Sequence, residues 1–193
     1  MGKRTADLPP LTGLPGLVRE LRYSEVARQG IGLALMPFLA FFATPQAAPF
    51  MAGAALVVLG ACVRLYASGF IVKNRQLATV GPYSLVRHPL YTGNGLILIG
   101  FVVAAGLWWA VPLAIAFWWL FYPVTIAYED QKLERLFGDA WRAWSVTVPA
   151  VVPRRFWPKA GGSWSFMTSL RQNLEPVIFV FTLACIGWIG TRV

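Results

Sequence analysis

The stretch GPYSLVRHPLYTGNGLILIGFVVAAGLWWAVPLAIAFWWLFYPVTIAYED, residues 81–130, decides the fold. It opens on a Gly-Pro turn and an Arg-His-Pro run that holds the one histidine of the chain. Two long apolar segments follow, joined only by Gly-Leu-Trp-Trp at 106–109, and the stretch closes on Glu129-Asp130. About 20 apolar residues cross the ~30 Å hydrocarbon layer of a bilayer. Two such runs with so short a link predict a tight helical hairpin in a membrane.

The rest of the chain agrees. Of its 193 residues, 57% are hydrophobic and 13% charged, against about 25% charged in soluble domains. The pattern predicts an all-α polytopic membrane protein with five spans, at 28–44, 49–72, 89–106, 108–128 and 174–191. Met-Pro-Phe at 36–38 is expected to kink the first. Residues 1–27 form an N-terminal cytoplasmic and interfacial segment, and residues 28–193 the transmembrane domain. Within the boundary region, LPGLVRELRYSEVARQG (14–30) reads as an amphipathic helix lying in the membrane interface. The first twenty-odd residues hold charge and proline rather than an apolar run, so no signal peptide is expected.

Orientation follows from the cations. With a cytoplasmic N-terminus, fifteen of the seventeen Lys and Arg fall on that side, and the C-terminus lies on the other. The opposite loops, TPQAAP and GLWW, carry no charge, as the positive-inside rule requires. The net charge of +9 is therefore a membrane-flank signature, and no nucleic-acid partner is expected. Cys62 and Cys185 sit inside expected spans as buried packing residues. With one His and no CxxC, a metal site has too few ligands.

Residues 129–173 divide in two. EDQKLERLFGDAWRAWSVTVP places Leu133, Leu136, Phe137, Ala140, Trp141 and Trp144 on one helical face. This helix either continues the fourth span or folds back along the headgroups. AVVPRRFWPKAGGSWSFMTSLRQN, rich in Pro, Gly and Ser, reads as a loop, with PRRFWPK as an interfacial anchor.

Three clusters carry chemistry. Pro89 suits the first turn of a helix, where its missing N–H costs nothing, and it pushes His88 into an extended conformation. Arg87 and His88 then stand at the lip of the third span, with Tyr91 in its first turn and Gly93 and Gly95 leaving one face bare. A helix N-terminus so surrounded suits a carboxylate or phosphate. The bland alternative, headgroup anchors and packing glycines, weighs about evenly from these residues alone. Glu129-Asp130 stands on the same side. It either pairs with Lys132 or Arg135 for a few tenths of a kcal/mol, or accepts hydrogen bonds from a ligand's amine or ribose. Arg64, inside the second span, either snorkels to the interface or faces an interior cavity and holds an anionic group.

Together, GPYSLVRHPLYTG, EDQKLERLFGDAWRAW and VPAVVP resemble the isoprenylcysteine carboxyl methyltransferase family, part of a wider set of membrane methyltransferases that includes phospholipid N-methyltransferases. The resemblance covers roughly residues 60–153, the motif core. Tyr83, Arg87, His88, Pro89, Tyr91 and Gly93 match its first mark, and Glu129, Leu133, Phe137 and Gly138 its second. Asp130 stands where a second Glu is usual, and Trp141 and Trp144 replace common tyrosines.

The resemblance implies S-adenosylmethionine bound at the cytoplasmic lip, without a Rossmann domain, and S-adenosylhomocysteine as product. Tyr83, His88, Pro89, Leu90, Tyr91, Gly93, Glu129, Asp130 and Leu133 are then expected to bind the cofactor, and Arg87, His88, Glu129 and Arg64 to be catalytic, with Arg87 or Arg64 orienting an anionic substrate. The acceptor would be lipidic or amphiphilic, a carboxylate or an amine, with membrane lipids around it, and a bacterial inner membrane as the setting. Two readings compete: an NADPH-dependent enzyme like the sterol reductases, which have more spans, and a non-catalytic membrane assembly partner.

Overall fold

The computed structural model describes residue 5 and residues 8–70 and 76–193. The end of the second expected span, 71–72, and the cations Lys73 and Arg75 lie outside the described residues. Among those described there are no strands. The helices are α1 (Gly13–Tyr23), α2 (Glu25–Phe42), α3 (Ala47–Ser68), α4 (Pro89–Ala105), α5 (Ala110–Thr147), α6 (Phe166–Asn173) and α7 (Glu175–Gly190), with a 3₁₀ turn at Pro82–Ser84. By length and composition α2, α3 and α5 can cross a membrane, while α4 and α7 are apolar but shorter, 17 and 16 residues. Phe41, Met51, Leu59, Trp119 and Val180 point outward, exposed. Such a surface would be a liability in water and suits lipid. The protein is an all-α membrane protein.

The two halves of the core meet on glycine. A Cβ on Gly60 would lie 2.6 Å from the carbonyl oxygen of Gly93, and one on Gly53 would lie 2.5 Å from that of Gly100. Only hydrogen side chains let the backbones of α3 and α4 come so close, the small-residue packing common between membrane helices. Around this seam Leu39, Val57, Ile97, Phe101, Ile186 and Ile189 are buried and bring in α2 and α7.

Several expectations need correction. The stretch expected as one interfacial helix breaks at Ser24, whose hydroxyl accepts from the Ala27 N–H and caps α2. So α1 stops at Tyr23, and the boundary expected at residue 28 falls inside α2. Leu14 and Leu17 of α1 are exposed, and Arg22 Nε donates to the Leu120 carbonyl, 3.1 Å, tying α1 to α5. Of the two readings of residues 129–149, the helix that continues the fourth span is the one found. Helix α5 continues to Thr147, broken only at Gly138 (φ 51°, ψ −123°), a backbone conformation that side chains disfavour. The segment read wholly as loop contains α6, capped by Ser165, whose hydroxyl accepts from the Thr168 N–H. Cys185 is buried as expected, but Cys62 is exposed on the outside of α3.

Candidate active site

The lip of α4 is held by the chain that returns after Gly138. The backbone N–H groups of Arg87 and His88 donate to the carbonyls of Pro149 and Ala150, 2.8 and 2.9 Å, and the Thr92 hydroxyl donates to Val151 at 2.6 Å. The Arg87 guanidinium grips both Asp130 oxygens (3.2 and 2.8 Å) and also donates to the carbonyls of Ser145 and Val148. On the other side, the Lys159 N–H and an Arg155 guanidinium N–H bond to Ser84, covering the 3₁₀ turn. Phe156 and Trp157 beside them stay exposed, as anchors do.

His88 is buried. Its Nε2 lies 2.9 Å from Asp130 Oδ1 and its Nδ1 3.7 Å from Glu129 Oε2. Burial pushes the imidazole pKa down. The hydrogen bonds and charges of Asp130 and Glu129 outweigh that, and the net value lies above the usual one for histidine. The Tyr91 hydroxyl donates to Glu129 Oε1 at 2.5 Å, and its ring stacks on the imidazole at 5.6 Å. The imidazole loop and the acids of α5 therefore meet in one cluster.

The cluster opens into a cavity of about 680 Å³. Ligand pockets commonly hold about 300–1,000 Å³. Tyr83, Arg87, His88, Pro89, Leu90, Tyr91, Glu129 and Leu133 line it, with Phe137 and Trp144 of the second motif. Burial raises the Tyr83 phenol well above its usual range, so it stays a protonated donor. Trp144 Nε1 is buried without a hydrogen-bond partner.

Two expected site residues lie elsewhere. Gly93 faces α3, where a Cβ would strike Arg64 and the Gly60 carbonyl. Asp130 stands behind the wall, on Arg87 and His88. Arg64 lines the cavity floor, but its guanidinium is taken. It pairs with both Glu175 oxygens (3.1 Å for Nε–Oε2) and donates to the Asn94 side chain, joining α3, α4 and α7.

The sequence reading missed Glu175, Asn94, Tyr122 and, above all, Arg28, which all line the cavity. Arg28 is 6% exposed, and its guanidinium lies over the rings of Tyr91 and Tyr122, at 5.0 and 5.7 Å. Its signal was a cation at the first residue of an expected span, where it passed as one more flanking charge.

Comparison with known proteins gives the cluster its context. Residues 47–140 match the phospholipid methyltransferase family. The chain is 33% identical over 139 residues to a cobalt-zinc-cadmium resistance protein of Cupriavidus metallidurans, covering 70% of this chain and 62% of that protein. It is 31% identical over 81 residues to a protein-S-isoprenylcysteine O-methyltransferase of Schizosaccharomyces pombe, 42% of this chain and 34% of that one. It is 38% identical over 80 residues to methanethiol S-methyltransferase 1 of Bradyrhizobium diazoefficiens, 38% of this chain and 25% of that one. The chain thus spans less than two thirds of the length of each. No solved structure matches.

Residues 47–140 thus carry the pattern of the phospholipid methyltransferase family, in keeping with the resemblance to the isoprenylcysteine carboxyl methyltransferases.

Proposed function

We propose that the protein transfers a methyl group from S-adenosylmethionine to a lipidic or amphiphilic acceptor, a carboxylate or an amine, at the cytoplasmic face of a bacterial inner membrane. The observation that carries this reading is the convergence of Tyr91, His88 and Glu129 on a cavity large enough for a nucleoside and an acceptor together. The donor set fits the cofactor: a half-buried carboxylate for an amine or ribose hydroxyls, aromatic walls for a base, and an unpartnered indole N–H.

Bound S-adenosylmethionine supplies a methyl group on a sulfonium whose thioether leaves without needing a proton. The protein's part is alignment and exclusion of water. Glu129 holds the amine or ribose, and His88 and Tyr91 fix the direction of its carboxylate. Pro89 and Leu90, at the start of α4, with Tyr83 and Leu133, close the walls. A carboxylate acceptor needs no base, and an amine acceptor would give its proton to Glu129 or to a neutral His88.

Titration of the purified protein with S-adenosylhomocysteine and with NADPH tests this. Binding of the first alone, lost in Glu129→Gln and weakened in His88→Ala, is the expected result. Binding of NADPH instead would turn the reading toward a reductase, and binding of neither toward a non-catalytic partner.

A further inference from the structure

The cavity walls carry five cations, Arg28, Arg64, Arg87, Lys132 and Arg171, against three carboxylates, Glu25, Glu129 and Glu175. S-adenosylmethionine itself is positive on balance, with a sulfonium and an ammonium against one carboxylate. The cationic surplus is therefore wrong for the cofactor and right for something anionic beside it. Two of the cations are already committed: Arg64 to Glu175 and Arg87 to Asp130.

Arg28 is different. Its guanidinium lies against Tyr91 and Tyr122, 5.0 and 5.7 Å from the ring centroids, and feels the charges of Glu129 and Glu25 across the cavity. Its Nε is buried with no hydrogen-bond partner, and such an orphan in a native interior calls for an explanation. It also lies on α2, outside the stretch 47–140 shared with the methyltransferase family. A cofactor common to a family is expected to use shared residues, and an acceptor particular to one member need not.

Below Arg28, the same face of α2 gives Gly32, at i+4, and Met36, at i+8, to the cavity wall. Gly32, Met36, Asn94, Ile97 and Tyr122 also line a second, smaller pocket of about 40 Å³, closed by Leu35, Leu39, Leu98, Phe101 and Phe117. The main cavity thus shares a wall with the smaller apolar one, and Gly32 stands between them with only the Phe117 ring within reach of a Cβ, at 3.4 Å.

We propose that Arg28 and the Gly32–Met36 stripe beneath it are the acceptor-recognition element: Arg28 takes an anionic group of an amphiphile, and the stripe leads its apolar part toward the second pocket. This rests on the methyltransferase reading for the identity of the occupant as methyl acceptor. Arg28 is a specificity determinant here and not part of the cofactor site.

The test uses the full chain in lipid nanodiscs, titrated with decanoate, with decanol as its uncharged counterpart, and with S-adenosylhomocysteine. Every variant sits in the same lipid, so partition into the bilayer cancels between them. Arg28→Gln should weaken decanoate about tenfold or more, leave decanol unchanged, and keep S-adenosylhomocysteine within about twofold. Arg28→Lys should recover part of the decanoate affinity. Should Arg28→Gln not fold, Gly32→Leu, which narrows the passage, should weaken both decanoate and decanol and spare S-adenosylhomocysteine.

Equal decanoate affinity in wild type and Arg28→Gln overturns the proposal, as does no decanoate binding by wild type. A matching loss of S-adenosylhomocysteine also overturns it, because Arg28 would then serve the cofactor. Decanoate binding that depends on Arg28 in a protein that binds no S-adenosylhomocysteine would sink the methyltransferase reading and leave the anion site standing.

Discussion

The hydroxyl of Tyr91 on α4 donates to Oε1 of Glu129 on α5, 2.5 Å away. The same ring stacks on His88 and lies beneath Arg28. One phenol thus orients the acid and supports both the imidazole and the guanidinium. A hydrogen bond to a charged group contributes about 1.5–3 kcal/mol. Tyr91→Phe keeps both ring contacts and removes only the hydroxyl. It should lower S-adenosylhomocysteine affinity about ten- to a hundredfold by isothermal titration, and an unchanged affinity would show that Glu129 needs no orienting.

His88 gives a pH dependence of definite sign. Its partners Asp130 and Glu129 raise its pKa in the folded chain above the unfolded value of about 6.5, with Arg87 and Tyr91 as its other neighbours. The stabilisation is complete below the unfolded pKa and is lost as pH rises through the folded one. Melting temperature in detergent should therefore fall as pH rises above about 6.5, and His88→Asn should flatten that slope. A slope of the same size in the variant would assign the dependence to another group.

Arg64 and Glu175 form a buried pair, with side chains 13% and 4% exposed. Breaking such a pair strands a charge and costs about 3–5 kcal/mol, whereas replacing both partners with apolar residues is often close to neutral. Arg64→Met and Glu175→Gln should each unfold early in chemical denaturation. The double variant Arg64→Met/Glu175→Met should be more stable than either. Additive losses would mean that the two charges do not support one another.

The glycine seam predicts a contrast between positions. Gly60→Ala forces a methyl group against the Gly93 carbonyl and should cost about 1–3 kcal/mol by overpacking. Gly187→Ala on α7 has nothing within 4 Å of the new carbon and should gain about 0.5–1 kcal/mol from reduced backbone freedom. Thermal unfolding of the two variants side by side reads the difference. Equal shifts would mean that α3 and α4 do not touch at Gly60.

What could be read from the sequence was whatever is local along the chain. Apolar length and a four-residue link announced the α4–α5 hairpin. Pro89 announced the start of α4 and with it the place of His88 at the helix lip, though not the burial of that loop. The continuation of α5 past Glu129 was one of two readings, because polarity rises there while nothing in the local sequence stops the helix before Gly138. Helix α6 was hidden in a stretch rich in Pro, Gly and Ser, with Ser165 as its one local sign. Gly93 was carried over as a cofactor contact from its place in the motif, and a motif does not tell which face of a helix meets a neighbour. Arg28 and Glu175 each gain their meaning from partners far along the chain. A single base in one span and a single acid in another were the only hint that Arg64 had a mate.

Gly53 and Gly60 on α3, and Gly93 and Gly100 on α4, stand seven residues apart on each helix and meet in antiparallel pairs. Each residue turns a helix by about 100°, so one residue inserted between the glycines of either helix would swing the outer one away from its mate. The two heptads work as matched rulers, and length there should tolerate far less change than the identity of the residues between. Grafts or chimeras built on this scaffold therefore have their natural joints outside 53–60 and 93–100, and a swap that cuts through either interval loses the alignment of both.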